Sequence, residues 1–327
     1  MRVSVIIPVY CAAKYIREAV ESALIQPEVA EIILVEDASP DNSLAMCQLI
    51  AAEQSIVQLH RHPGGINRGA GASRNLAIQK STCDFIAFLD ADDYYLPNRF
   101  IVAKELFGEN LSVDGVYEAV ANKVENEIGE QRRKIAGLPF PQLTSVKKMI
   151  PSENLFTAMH MDKIGGIHLD GLVIKRHVVD KAGYFDAELT FHQDTAFIIK
   201  AAAVSRLVPG RMDEPVAVYR IHERNHISEP RSRNEIYQMK IKFRYSLWKW
   251  GRTHLGREQN KMLIQALINE VKARQRFNRA FPQRLLWMQN RIQLILLSFD
   301  HPELVLERAF WQAFFSFYPG RMIKQAK

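Results

Sequence analysis

The sequence predicts an α/β fold, a mostly parallel sheet flanked by helices, with a helical extension at the C-terminal end. Three observations carry that prediction. Apolar runs of the buried parallel-strand type alternate with helix-periodic segments over the first hundred residues. Several of these runs stop at acidic residues that a covered strand cannot accommodate. From residue 234 the pattern is helical almost to the end, broken at Phe281-Pro282.

Taken in order, residues 3–9 read as the first strand. A helix follows over 13–26, where Ile16, Ala19, Val20, Ala23 and Leu24 keep helical spacing. Residues 31–35 are a continuous apolar run, the second strand. Ser39 then offers an N-cap with Pro40 at the first helical position, for a helix through Met46, Leu49 and Ile50. A short strand at 56–59 leads through Pro63-Gly64-Gly65 to a helix over 72–80. The fourth strand, Phe85-Ile86-Ala87-Phe88-Leu89, runs into Asp90-Ala91-Asp92-Asp93. This βαβαβαβ order implies right-handed crossovers and ligands at the carboxyl edge of the sheet.

The middle of the chain is less regular. We expect a β-hairpin near 116–124, an irregular excursion over 129–141, a helix at 154–160, a strand at 172–174, a helix at 194–204 and a strand at 216–221. Further on, Leu285, Leu286, Met288, Ile292, Ile295, Leu296 and Phe299 form one apolar helical face. Leu304, Phe310, Phe314 and Phe317 form another.

Composition excludes several classes. With 327 residues, 47% hydrophobic and 24% charged, the chain reads as globular. Cys11, Cys47 and Cys83 show no C-x-x-C spacing, which argues for a reducing compartment and against a zinc ribbon or disulfide framework. Signal-peptide and membrane-spanning patterns are absent, so a cytoplasmic location is expected. The net charge is +7, with Lys and Arg crowding residues 231–291. Basic helices interleaved with Phe243, Tyr245, Trp248 and Trp250 suit a lipid headgroup layer as well as a plain solvated face.

The chemistry is expected at the strand exits. Asp90 and Asp92 stand two apart, so in an extended segment both carboxylates face one divalent cation or polyol; a loop capping the next helix is the plainer alternative. The first strand ends Pro8-Val9-Tyr10 and the second ends Val35-Glu36-Asp37-Ala38-Ser39. An aromatic ring, a carboxylate and an Asp pair on one edge suit a nucleoside: Tyr10 or the backbone of Pro8 and Val9 against the base, Asp37 accepting from a base N–H, and Asp90 accepting from ribose hydroxyls. No G-x-G-x-x-G follows the first strand, which disfavours a dinucleotide fold. Gly69-Ala70-Gly71-Ala72, followed by Arg74, opens a helix, either to bring backbone N–H groups near phosphate or to permit tight helix–sheet packing.

These motifs resemble those of the family 2 glycosyltransferases. The resemblance covers Ser4-Val5-Ile6-Ile7-Pro8-Val9-Tyr10, then 31–39, Gly71-Ala72-Ser73-Arg74-Asn75 and Phe88-Leu89-Asp90-Ala91-Asp92-Asp93. It extends over roughly residues 1–230 and implies a GT-A fold, with a Rossmann-like, mixed, mostly parallel sheet. The implied activity is inverting transfer of a sugar from a nucleotide-diphosphate donor, a UDP-sugar or a related one, to an acceptor hydroxyl, assisted by Mn²⁺ or Mg²⁺. On this resemblance 1–105 is the nucleotide-sugar-binding half, 106–230 the acceptor-binding and catalytic half, and 231–327 a basic helical extension.

Residue by residue, the resemblance assigns Asp37 to the base, Asp90 with Ala91 to the donor, and Asp92 to the metal. Gly183-Tyr184-Phe185-Asp186 with Gln193-Asp194 resembles the family's G-x-F-D…E-D pattern, which makes Asp194 the general base. Tyr219-Arg220-Ile221-His222 with Ser228 resembles its R-x-H…S segment. Through it His222 joins Asp92 on the metal, in preference to a zinc pair of His222 with His226, while Arg220 and Arg74 face the diphosphate. The chain departs from the pattern at Glu36 and Ala38, where Asp and Gly are usual, at Gln193, where Glu is usual, and at Cys11, often Asn.

Two other readings compete. A nucleotidyltransferase would carry a glycine-rich basic loop after the first strand, and 8–13 contain no glycine. A non-catalytic nucleotide-sugar or nucleic-acid binding protein would use the basic C-terminal third, but no stacking platform or zinc motif accompanies it, so nucleic acid is not the expected partner. The expected partners are a nucleotide-sugar donor and a glycan or lipid-linked glycan acceptor. The C-terminal helices are expected either to touch the inner membrane peripherally or to pack as a lid or homodimer contact.

Overall fold

The computed structural model describes residues 1–135, 142–161, 164–225, 229, 231–273, 291–299 except 293 and 296, and 301–316. The chain divides into two compact units, Met1–Arg231 and Ser232–Lys327.

The first unit is built on a seven-stranded sheet. Its strands are β1 (Val3–Val9), β2 (Val29–Glu36), β3 (Val57–Arg61), β4 (Phe85–Phe88), β6 (Gly115–Tyr117), β9 (Leu172–Lys175) and β10 (Leu207–Pro209). Their spatial order is β10-β6-β9-β4-β1-β2-β3. Every neighbouring pair is parallel except those of β9, which runs antiparallel to both β4 and β6. The strands at the centre of the sheet are uniformly apolar because helices cover both faces: Val5, Ile6, Ile7, Ile32, Ile33, Leu34, Ala87 and Phe88 are all fully buried.

β1 is the switch point of this sheet, because the chain continues from it to β2 on one side and places β4 on the other. The β1–β4 ladder ends at Ile6 and Phe88, while β1–β2 pairing continues to Val9 and Glu36. Pro8 therefore meets no demand for its missing N–H on the β4 side. Beyond Leu89, whose N–H still donates to the Ile6 carbonyl (3.1 Å), the chain turns away through Asp90–Asp93 at the carboxyl edge, where a switch point opens a crevice between the strand ends.

A second, four-stranded sheet lies in the order β5-β11-β7-β8, with β5 Tyr94–Tyr95, β7 Val120–Val124, β8 Leu143–Thr144 and β11 Ala217–Ile221. The expected hairpin near 116–124 is not a hairpin. β6 and β7 are separated by only Glu118 and Ala119, yet they belong to different sheets. Glu118 turns inward there, its N–H donating to the Gly171 carbonyl (3.0 Å) and its carboxylate pairing with buried Arg99.

Two other expectations are corrected. Residues 129–135 of the supposed excursion belong to a helix, Glu127–Ile135, while 136–141 lie outside the described residues. Asn126 caps this helix through Gly129 N–H, acidic residues fill its first turn, and Arg132, Arg133 and Lys134 its last. Gly129 looked like a loop residue, but it is small for a packing reason: a Cβ there would come within 2.6 Å of the His222 Cα. The second correction concerns Ser39, which does not cap a helix. The helix begins later, at Ser43–Glu53, and the Ser39 hydroxyl instead accepts the Cys11 N–H.

The second unit contains the helices Arg233–His254 and Arg257–Ala273, the 3₁₀ turn Pro302–Leu306 and the helix Arg308–Ser316. The first helix starts with a capping box between Ser232 and Glu235. Buried Ile241, Phe243, Leu247 and Trp248 on one helix, and Leu263, Ile264, Leu267, Ile268 and Val271 on the other, supply the core.

Candidate active site

The exits of β1, β2, β4 and β11 and the start of the helix Gln193–Val204 carry the predicted side chains. Val9 and Ala91 are buried, so they face the crevice only through backbone, whereas the Tyr10 ring is 54% exposed. Asp37 is buried. Its two carboxylate oxygens accept the backbone N–H groups of Arg68 (2.8 Å) and Gly69 (2.7 Å), and its carbonyl accepts from Asn67 Nδ2. It therefore anchors the start of the helix Gly69–Lys80; buried His62 Nε2 lies 3.7 Å from Oδ1, and Oδ2 keeps a lone pair for a ligand. Glu36 is a second anchor: it accepts from Ser39 N–H and from Arg61 Nε (2.8 Å) and holds the turn between them.

Arg74 occupies the floor of the site. Its guanidinium is buried and donates through Nη2 to Asp90. Burial penalises its charge, but the carboxylates of Asp90, Asp194 and Asp170 outweigh that penalty and hold its pKa above the ordinary arginine value. Among the described residues its Nε and Nη1 have no hydrogen-bond partner, and neither has the buried Oε1 of Gln193. Buried polar atoms left open in this way mark a place where substrate oxygens and hydroxyls can bind.

Asp92 and His222, 130 residues apart, meet at the crevice. His222 Nε2 lies 2.9 Å from Asp92 Oδ2. The imidazole is fixed by Tyr15, whose ring centroid is 4.9 Å away, and by the Arg224 N–H donated to Nδ1 (3.1 Å), while Asn225 Oδ1 accepts the backbone N–H of His222 and holds the main chain there. The Asp92 side chain is 28% exposed, so the pair is open to solvent on one side. A separation of 2.9 Å also matches two neighbouring ligand atoms on an octahedral ion at about 2.1 Å, which is about 3.0 Å. One carboxylate oxygen and one imidazole nitrogen suit Mn²⁺, and the pair fits a divalent metal once the ring proton moves from Nε2 to Nδ1 and the Arg224 N–H is released.

Arg220 is placed differently from the expectation. It is buried rather than lining an open phosphate site, with Nη1 on the Asp92 carbonyl (3.0 Å) and its other nitrogens facing Glu18 and Glu125 (3.2 Å to the latter). Its guanidinium also lies over the rings of Tyr15 and Tyr94. Enclosed in this way, it holds the Asp92 loop rather than presenting free donors. His226 and Ser228 lie outside the described residues.

Asp93 is fully buried and its Oδ1 accepts the Arg220 N–H (2.7 Å). Burial first, and then the charge of Asp170, raise its pKa well above the carboxylate range. Asp170 itself accepts the Asp90 N–H, and burial raises its pKa too. Burial and the charge of neighbouring carboxylates thus push both carboxyls toward the protonated form. Asp93, His168 and Asp170 place one ligand atom each within 4.8 Å of one another, a second arrangement with metal-ligand chemistry. Asp93 and Asp170 have no exposed surface, whereas the Asp92–His222 pair faces solvent.

Asp194 stands in the first turn of its helix, its Oδ1 accepting the Thr195 N–H (2.7 Å). Among the described residues no hydrogen bond reaches its Oδ2. Sequence reasoning missed Tyr15, Asp170 and Asn225. Only Asn225 carried a local signal, its three-residue spacing from His222.

The residues with positive φ other than glycine, among those described, are Cys11 (53°), Ala38 (57°) and His192 (62°). All three border the site, at the β1 exit, the β2 exit and the turn before Asp194. Cys11 and Ala38 are also positions where the chain departs from the family pattern of Asn and Gly, the residues that tolerate this conformation best. An L-residue there costs about 1–2 kcal/mol. Part of that gain is offset by about 0.4–1 kcal/mol of added unfolded-state entropy when glycine replaces alanine. Ala38→Gly is thus expected to raise the melting temperature in a thermal scan; a lower one would show that this turn is not strained.

The seven-stranded sheet with its switch-point crevice, the Asp-x-Asp loop and a returning His define the GT-A class of fold. Residues 4–161 match the model of glycosyl transferase family 2. The succinoglycan biosynthesis protein ExoU of Rhizobium meliloti is 37% identical over 122 residues, 37% of this chain and 33% of that one. The minor teichoic acid biosynthesis protein GgaA of Bacillus subtilis is 27% identical over 204 residues, 59% of this chain and 42% of that one. The chain thus spans about a third of the length of curated relatives such as ExoU. Among solved structures, S. aureus TarS 1-349 in complex with UDP-GlcNAc aligns with TM-score 0.58 at 19% identity, covering 97% of this chain and 89% of that one. A mannosyltransferase of Pyrobaculum calidifontis in complex with GDP-Man and Mn²⁺ aligns at 0.51 and 15% identity, covering 97% and 84%. Among the described residues, no helix is long and apolar enough to cross a membrane.

Proposed function

We propose that the chain is an inverting, metal-assisted glycosyltransferase that moves a sugar from a nucleotide-diphosphate donor, most simply a UDP-sugar, to an acceptor hydroxyl in cell-surface polysaccharide synthesis. The observation that carries this reading is the meeting of Asp92 with His222 beside Arg74 and Asp90 at a single sheet edge. The TarS complex with UDP-GlcNAc and the names of ExoU and GgaA support the donor and the pathway class.

In this reading Tyr10 and the backbone of Pro8 and Val9 flank the base, Asp37 offers its remaining lone pair to it, and Asp90 and the backbone of Ala91 meet the ribose. Asp92 and His222 would hold the divalent ion, which offsets the charge growing on the leaving diphosphate. Arg74, with two open N–H groups, donates to donor oxygens, and Arg220 fixes the loop that carries Asp92. Asp194 takes the proton of the acceptor hydroxyl as its oxygen bonds to the anomeric carbon, while the bond from that carbon to the diphosphate breaks on the opposite face. The products are the inverted glycoside and a nucleoside diphosphate.

A thermal-shift panel of UDP-, GDP- and dTDP-sugars with Mn²⁺ tests this. A donor at 100 times its dissociation constant stabilises by about 2.7 kcal/mol, and chelation should reduce the shift to the smaller one given by donor without metal. No shift with any donor would remove the reading.

A further inference from the structure

The second unit differs from the first in both charge and surface. Residues 232–327 carry 18 Lys and Arg against 6 Asp and Glu, a net +12, whereas 1–231 carry 25 against 30, a net −5. The whole-chain value of +7 therefore hides a strongly cationic unit joined to an acidic one.

The surface of this cationic unit is apolar in a regular way. On the helix Arg308–Ser316, Arg308, Trp311 and Phe315 recur at i, i+3 and i+7 and are exposed, while Phe310 and Ala313 face inward. Just before it, Leu306 is 81% exposed beside Val305, and the Trp311 indole N–H donates to the Val305 carbonyl (2.7 Å), which fixes the ring next to them. Ile292, Ile295 and Phe299 repeat the same spacing, all exposed, with Phe299 at 78%. Arg291 Nε donates to the Phe314 carbonyl (3.1 Å) and ties that segment to the helix. Exposed Arg and Lys stand on the neighbouring helices too, at Lys242, Lys249, Arg252 and Arg257.

The exposed members of this set lie outside the core, which the two long helices build together with Leu294, Leu304, Phe310 and Ala313. Isoleucine, leucine and phenylalanine offer nothing to a phosphate backbone, so nucleic acid does not explain them. An indole and aliphatic side chains among cations are the chemistry of a headgroup layer, where the apolar groups enter the acyl boundary and the cations stay with lipid phosphates.

We propose that the second unit docks on the surface of an anionic bilayer through Leu306, Trp311 and Phe315, with its cationic excess supplying the long-range attraction. This goes beyond the glycosyl-transfer reading, and its test uses no donor or acceptor, so either can fail without the other.

The full chain is sedimented with vesicles of phosphatidylcholine alone, and with vesicles in which about a third of the lipid is phosphatidylglycerol. Partitioning is expected to be at least about tenfold stronger on the anionic vesicles and to weaken at high salt. The double substitution Leu306→Ser/Phe315→Ser should lower it by about tenfold or more, because both side chains lose their transfer into the acyl boundary. Its melting temperature should remain that of the wild type, since both residues are exposed. Equal partitioning on neutral vesicles overturns the proposal, as does unchanged partitioning of the double variant. A wild-type dimer in light scattering that the double variant splits also overturns it and assigns the patch to a second copy of the chain.

Discussion

Asp194→Asn should reduce transfer by about 10²–10⁴-fold while leaving the donor-induced thermal shift intact. The substitution keeps the size of the side chain and its hydrogen bond from the Thr195 N–H, so the helix start is preserved. What it removes is the ability to take a proton. The carboxylate is linked to the donor side through Arg74, whose buried guanidinium is held charged by Asp90 and Asp194 together. Loss of one of those charges leaves Arg74 paired with Asp90, so donor binding persists and the defect lies in turnover. A variant that transfers sugar at the wild-type rate would show that the base lies elsewhere. A variant that loses the donor shift as well would show that Asp194 is needed to build the site. Steady-state kinetics with a saturating donor, read alongside thermal shifts, separates these outcomes.

The strand exits were legible in the sequence because an apolar run that stops at Asp has one physical reading: the sheet ends there and something polar begins. That logic placed Asp37, Asp90 and Asp92 on one edge, and β1 to β4 do form the parallel set expected of them. The role of Arg220 was not legible. Its enclosure depends on Glu18 and Glu125, brought in from a helix and a strand end far away in sequence, and no local pattern encodes that meeting. The same holds for Asp170, whose carboxyl reaches Asp90 and Asp93 only because β9 is inserted antiparallel between β4 and β6. The division of 116–124 between two sheets was hidden for a different reason. Alternation and turn residues indicate that two strands are near in sequence, but they carry no information on whether the two share a ladder. The left-handed residues at Cys11 and Ala38 were hidden as well, since neither type announces that conformation.

The Asp92–His222 pair gives the other large effect. Asp92→Asn and His222→Ala should each lower transfer by on the order of 10²–10³-fold, because several kcal/mol of charge stabilisation on the departing diphosphate is lost with the ion. Their combination is the more telling measurement. Two ligands of one ion act as a unit, so the double variant should be little worse than either single one. Two residues with independent roles would instead give the product of the two losses. Tyr15 packs against the imidazole whether or not an ion is bound, so a structural role for His222 would appear as a lowered melting temperature without donor or metal. The ligand role predicts instead that the metal-free melting temperature changes little and that the extra stabilisation by UDP with Mn²⁺ over UDP alone disappears. If His222→Ala keeps that extra stabilisation, the ion does not sit at this pair. The buried Asp93–His168–Asp170 group would then be the arrangement to test, with Asp170→Asn as the variant that changes its charge.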